Sequence, residues 1–199
     1  MSNSELKRAA KAQLGGKLFS NEWLMALLVC AIVGAIIVGA GTVIPYLGAT
    51  LILGAISYGS DALFLRQARS GEPMELGKLF SGFSSDFGEM FLLGFLSSLF
   101  IALWSLLLIV PGIVKSYAWA LLYYVKVDHP EYGWKQCMDE SAAMMRGYKG
   151  RLFRLDLSFI GWYIVGALCL GVGTLWVVPY HMAARAQFYR ERCKEPFVI

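Results

Sequence analysis

Three long apolar blocks, residues 23–65, 90–127 and 155–189, alternate with short basic segments along this chain. They run to 43, 38 and 35 residues. A helix crosses the hydrocarbon core of a bilayer with about 20 residues, so each block has room for two helices. Composition leads the same way: 57% of residues are hydrophobic, 16% are charged, and mean hydropathy is +0.56. A soluble domain carries about 25% charged residues. One domain of this length cannot hide the surplus from water, and lipid removes the conflict.

Basic residues follow the blocks. No Lys or Arg lies between Lys17 and Arg66, between Lys78 and Lys115, or between Arg154 and Arg185. Such gaps fit spans joined by tiny outer loops, and all but Lys115 and Arg185 of the 18 cations fall on one inferred, cytoplasmic face. The net charge of +4 therefore does not point to nucleic acid. The first apolar run, residues 23–44, is longer than a secretory signal core and reads as a span that stays in place. Cys30, Cys137, Cys169 and Cys193 form no CxxC and no Cys/His cluster, so free thiols are expected and no metal or cofactor.

Each block holds a proline near a break: Pro45, Pro111 and Pro179. Proline is tolerated in a first helical turn, so each is read as starting the returning helix of a hairpin. In the third block Gly171-Val172-Gly173 is expected to make the turn itself. A tetrapeptide, Gly-[Lys/Arg]-Leu-Phe, recurs at residues 16–19, 77–80 and 150–153. Lys17 to Pro45, Lys78 to Pro111 and Arg151 to Pro179 are 28, 33 and 28 residues. The expected architecture is an all-α membrane protein, one polytopic domain over residues 1–199. It has about six transmembrane helices as three parallel hairpins, roughly residues 5–70, 71–132 and 133–192. The returning helices at 113–127 and 174–189 look short. Both chain ends are expected in the cytoplasm.

Amphipathic interfacial helices complete this picture. Trp134, Cys137, Met138, Ser141 and Met145 fall at helical spacing opposite Lys135, Asp139, Glu140 and Arg146, after a stop at Asp128-His129-Pro130. Residues 5–14 have similar, weaker character. Both are expected to lie on the inner leaflet or to cap the bundle. Trp23, Trp134 and Trp162 are assigned to the inner interface, Trp104 and Trp176 to the outer. Small residues (Ala31, Ala35, Gly39; Ala55, Gly59; Gly161, Gly166, Gly171) mark expected close helix contacts.

Ionisable residues inside spans are costly and are candidate functional positions. Five qualify: Asp61, Asp156, Arg185, Lys115 and His181. Asp156 and Arg185 sit at matching depths on neighbouring helices and are expected to pair. Lys115 and His181 are assigned to the outer ends of their helices, where Lys115 either snorkels or binds an anion with Tyr117 and His181. No HExxH, GxSxG or phosphate-binding loop is present. The expected function is a non-enzymatic accessory or scaffold component. It binds lipid of the anionic inner leaflet, a membrane protein partner or a second copy. The alternative is a small transporter or channel using the intramembrane charges.

Several strings carry a family resemblance. They are Pro111-Gly112-Ile113-Val114-Lys115-Ser116-Tyr117, Asp128-x-Pro130, Ser141…Met145-x-Gly147-x-Lys149, the run from Leu152 to Trp162, Gly171-x-Gly173, Pro179-Tyr180 and Phe188-Tyr189. Together, over residues 5–190, they resemble the bacterial integral-membrane family known as domain of unknown function 975. His129 departs from the small polar residue expected there. The resemblance implies a multi-helix fold in a bacterial inner membrane, and no activity.

Overall fold

A computed structural model describes residues 2–16, 20–43, 47–84, 87–107, 109–168 and 172–194. Every described regular element is helical. Lys17, Pro45, Cys169 and Gly171, and the first copy of the tetrapeptide beyond Gly16, lie outside the described residues. Contacts gather in two compact units. The first holds Met1–Gly34, Ser60–Leu76 and Arg151–Ile199, and the second Ala35–Gly59 and Gly77–Gly150.

In the first unit, α1 (Asn3–Gln13) is fixed at both ends by local chemistry. Ser2 Oγ accepts from the Glu5 amide at 3.3 Å, and the Ser2 amide donates to Glu5 Oε2 at 2.6 Å, a reciprocal capping box. Gly15 and Gly16, at φ +79° and +73°, close the helix by donating to the Ala12 and Lys11 carbonyls. Leu6, Ala10 and Leu14, one turn apart, are fully buried. This face packs along α10 (Val172–Arg192), which returns from α9 (Lys149–Leu168). Tyr180 Oη donates to the Lys7 carbonyl and Gln187 Nε2 to Gln13 Oε1, so α1 and α10 run in the same direction. α1 thus packs lengthwise along α10. The start of α2 (Asn21–Val43) and the end of α3 (Leu47–Ser70) complete the unit.

The second unit is built on α5 (Phe87–Leu107) and α6 (Ile109–Ala118), which pack as a hairpin. Pro111 falls in the first turn of α6, where no intrahelical N–H bond is lost, as the sequence predicts. Pro179 differs: it lies inside α10, so the third hairpin turns upstream of it. There Gly166 and Gly173 meet so closely that a Cβ on Gly166 would stand 2.8 Å from the Thr174 amide nitrogen. α10 is accordingly longer than expected. The predicted single helix over 113–127 is broken into α6 and α7 (Leu122–Asp128). Ser141 on α8 (Trp134–Met144) holds the break, donating to the Ala118 carbonyl at 3.0 Å and accepting from the Leu121 amide at 3.3 Å. α8 buries Cys137, Met138 and Ser141 against α5, α6 and α7, so it caps the hairpin. The second copy of the tetrapeptide forms a 3-10 turn, Leu76–Phe80, followed by α4 (Ser81–Ser84). The third copy opens α9 as α-helix, so the two described copies fold differently.

Among the described residues one stretch, Phe87–Leu106, is long and apolar enough to cross a membrane, with mean hydropathy 1.8, and the part of α2 so described, Asn21–Ile36, is apolar as well. Among the described residues, α6, α9 and α10 fall short of the expected spans for local reasons. Arg151, Arg154 and Asp156 occupy the first turns of α9, Arg185, Arg190 and Arg192 the last turns of α10, and α6 stops at Ala118.

The small residues divide by position. A Cβ on Gly59 would fall 1.8 Å from the Leu79 carbonyl oxygen, and one on Gly54 would fall 2.5 Å from that of Met90. Gly161 meets nothing within 4 Å, and Ala31 and Ala35 are exposed. Gly59→Ala is expected to destabilise by about 1–3 kcal/mol through overpacking against backbone. Gly161→Ala should be neutral or slightly stabilising. Thermal unfolding of the two variants in one detergent checks the contrast, and equal effects would refute the assigned close contact.

Candidate functional site

The α9–α10 pair places three of the five candidate residues together. Asp156 enters from α9. His181 and Arg185, one turn apart on α10, reach it from the other side. Arg185 Nη2 donates to Asp156 Oδ2 at 2.6 Å, and His181 Nε2 lies 2.8 Å from Oδ1. Tyr163 Oη lies 3.1 Å from His181 Nδ1, and the imidazole stacks on Phe159 at 4.6 Å between centroids. The carboxylate is 14% exposed and Arg185 37%. The expected Asp156–Arg185 pair is therefore present. His181 is corrected from an outer helix end to the level of Asp156, with which it shares a bond. The imidazole keeps two partners in either charge state, since Nδ1 can accept from or donate to the Tyr163 hydroxyl.

Around this cluster the unit is tied by further polar contacts. Lys7 donates to the Ser158 carbonyl at 3.1 Å and lies 4.4 Å over the Phe159 ring, and burial lowers the pKa of its ammonium. Arg151 pairs with Glu191 at 2.6 Å near the base of the hairpin. Arg190, 2% exposed, donates to the Ala68 carbonyl and to Gln187 Oε1. Gln13 donates to the Phe64 carbonyl and to Gln67 Oε1. Asp61 is half-buried on α3 and is engaged by other groups.

Lys115 belongs to the second unit. Its ammonium lies 5.3 Å from the ring centroids of both Trp104 and Trp119. These rings, Trp134, Lys135 and Asp139 line one open cleft with it. This corrects two expectations. An outer Trp104 and an inner Trp134 would stand across about 30 Å of hydrocarbon, yet they share a wall. Lys115 is not alone at an outer face, because α8 folds back beside it.

Sequence reasoning missed Lys126, counted only among the cations of the cytoplasmic face. It is 2% exposed, and its ammonium donates to Glu89 Oε2 at 2.7 Å and to the Pro130 and Tyr132 carbonyls at 2.8 and 2.7 Å. Its place within the run Tyr123-Tyr124-Val125-Lys126-Val127 was the one available signal. Among the described residues Cys30, Cys137 and Cys193 are free thiols, and no His/Cys/Asp/Glu group has metal-site geometry.

No curated protein and no solved structure matches the chain. A family model described as "Protein of unknown function (DUF975)" matches residues 1–121 and, overlapping it, residues 106–194. With nearly its whole length so covered, the chain belongs to the DUF975 family.

Proposed function

We propose that the chain is a multi-pass protein of the bacterial inner membrane, with up to six membrane-entering helices in three hairpins and both ends cytoplasmic. It acts as a non-enzymatic accessory component that holds anionic lipid or a membrane partner. The observation that carries this reading is where large apolar side chains stand in the open. Leu103, Leu106, Val110 and Ile113 at the end of the α5–α6 hairpin are 52%, 86%, 70% and 47% exposed, and Leu168 on α9 is 80% exposed. Water disfavours such clusters, and soluble monomers rarely present them. The opposite ends of these helices carry the ions. Asp156, engaged by Arg185 and His181, suits a fold-fixing role better than a free transport site.

Alkaline extraction of expressing membranes, followed by native mass measurement of the purified protein, tests the reading. Retention in the pellet with anionic phospholipid bound in preference to zwitterionic is the expected outcome. Release into the soluble fraction, or no lipid preference, contradicts it.

A further inference from the structure

We propose that the cleft between the α5–α6 hairpin and α8 binds the headgroup of an anionic glycerophospholipid bearing free hydroxyls. This rests on the membrane reading above. The cleft encloses about 360 Å³, within the size range of small-ligand sites. Trp104, Trp119 and Trp134 line it, with Phe100, Met138 and Ala142 as apolar wall. Indoles concentrate where hydrocarbon gives way to headgroups. The cleft has that surrounding: exposed Leu103, Leu106 and Val110 on the hairpin end, and exposed Lys135, Asp139 and Glu140 on α8.

Charge selects the ligand. Lys115 has two indole faces and, among the described residues, no carboxylate partner; Lys135 likewise has none. Their ammonium groups keep N–H donors for a phosphodiester. Asp139 in the same cleft bears no donor partner among the described residues and would repel a bare dianion. It accepts readily from a headgroup hydroxyl. Two lysines, one aspartate and one phosphodiester sum to zero, whereas a headgroup ammonium would leave an excess positive charge. The first methylenes below the phosphate then meet Phe100 and the hairpin's apolar end.

The test titrates detergent-solubilised protein with dioctanoyl phosphatidylglycerol, phosphatidylmethanol and phosphatidylcholine, and separately with inorganic phosphate, reading tryptophan emission. Phosphatidylglycerol should bind best. Lys115→Gln and Lys135→Gln should each weaken it about fivefold, and together roughly twenty-five-fold, with Lys115→Arg restoring most of the loss. Asp139→Asn should abolish the preference over phosphatidylmethanol while helicity stays unchanged. Exposed Lys135 and Asp139 keep the test informative even where Lys115→Gln fails to fold. Equal, lysine-dependent binding of inorganic phosphate would make this a free-phosphate site and overturn the lipid assignment. Phosphatidylglycerol binding indifferent to all three substitutions overturns the cleft but leaves the membrane reading standing. No lipid preference in the unmodified protein overturns both.

Discussion

Arg185→Ala is expected to destabilise the protein by about 2–3 kcal/mol. The usual cost of stripping one partner from a buried pair is about 3–5 kcal/mol. Two features here lower it: Arg185 is 37% exposed, and His181 still holds one carboxylate oxygen of Asp156. Asp156→Ala should cost more, about 3–4 kcal/mol, because it takes the carboxylate from both Arg185 and His181 at once. The double variant should be scarcely worse than Asp156→Ala alone, giving a coupling of about 2–3 kcal/mol, close to the whole Arg185→Ala loss. Unfolding by SDS titration in mixed micelles, followed by loss of helicity, measures all four corners of the cycle. Strictly additive losses would mean that the 2.6 Å contact contributes nothing to the fold.

Lys126→Met should lower stability by about 2–3 kcal/mol, although it preserves the apolar stem. All three ammonium donors of Lys126 are used, on Glu89 and on two carbonyls just past the end of α7. Hydrogen bonds to charged groups contribute about 1.5–3 kcal/mol, and Glu89, 44% exposed, can recover part of its solvation. Lys126→Arg separates charge from geometry. A planar guanidinium cannot converge on three acceptors as a compact ammonium does, so arginine should restore only part of the loss. Full restoration by arginine would show that charge alone matters there.

Helices and their punctuation were legible because they are local. Pro111, Asp128-His129-Pro130 and the amphipathic spacing from Trp134 to Met145 each act within a few residues. Asp156 with Arg185 was legible too, since a hairpin turns depth along two helices into proximity. What stayed hidden depends on distant partners. Lys126 counts only among the cations of the cytoplasmic face until Glu89, 37 residues earlier, is brought beside it. Arg190 looks like one more cytoplasmic cation until the Ala68 carbonyl, 122 residues away, is found against it. The break between α6 and α7 could not be read from an unbroken apolar run, because Ser141 stabilises it from another helix. That break shortens the returning helix and lets α8 reach Lys115 and Trp104, which the hydropathy pattern had set on the far side of the bilayer.

Native Cys193, just past the end of α10, reports most directly on which face carries the cationic ends of these helices. With Cys30, Cys137 and Cys169 replaced by serine, a membrane-impermeant maleimide should label Cys193 in inverted inner-membrane vesicles and leave it untouched in intact spheroplasts. Labelling in intact spheroplasts would put the carboxyl end outside the cell and contradict the account.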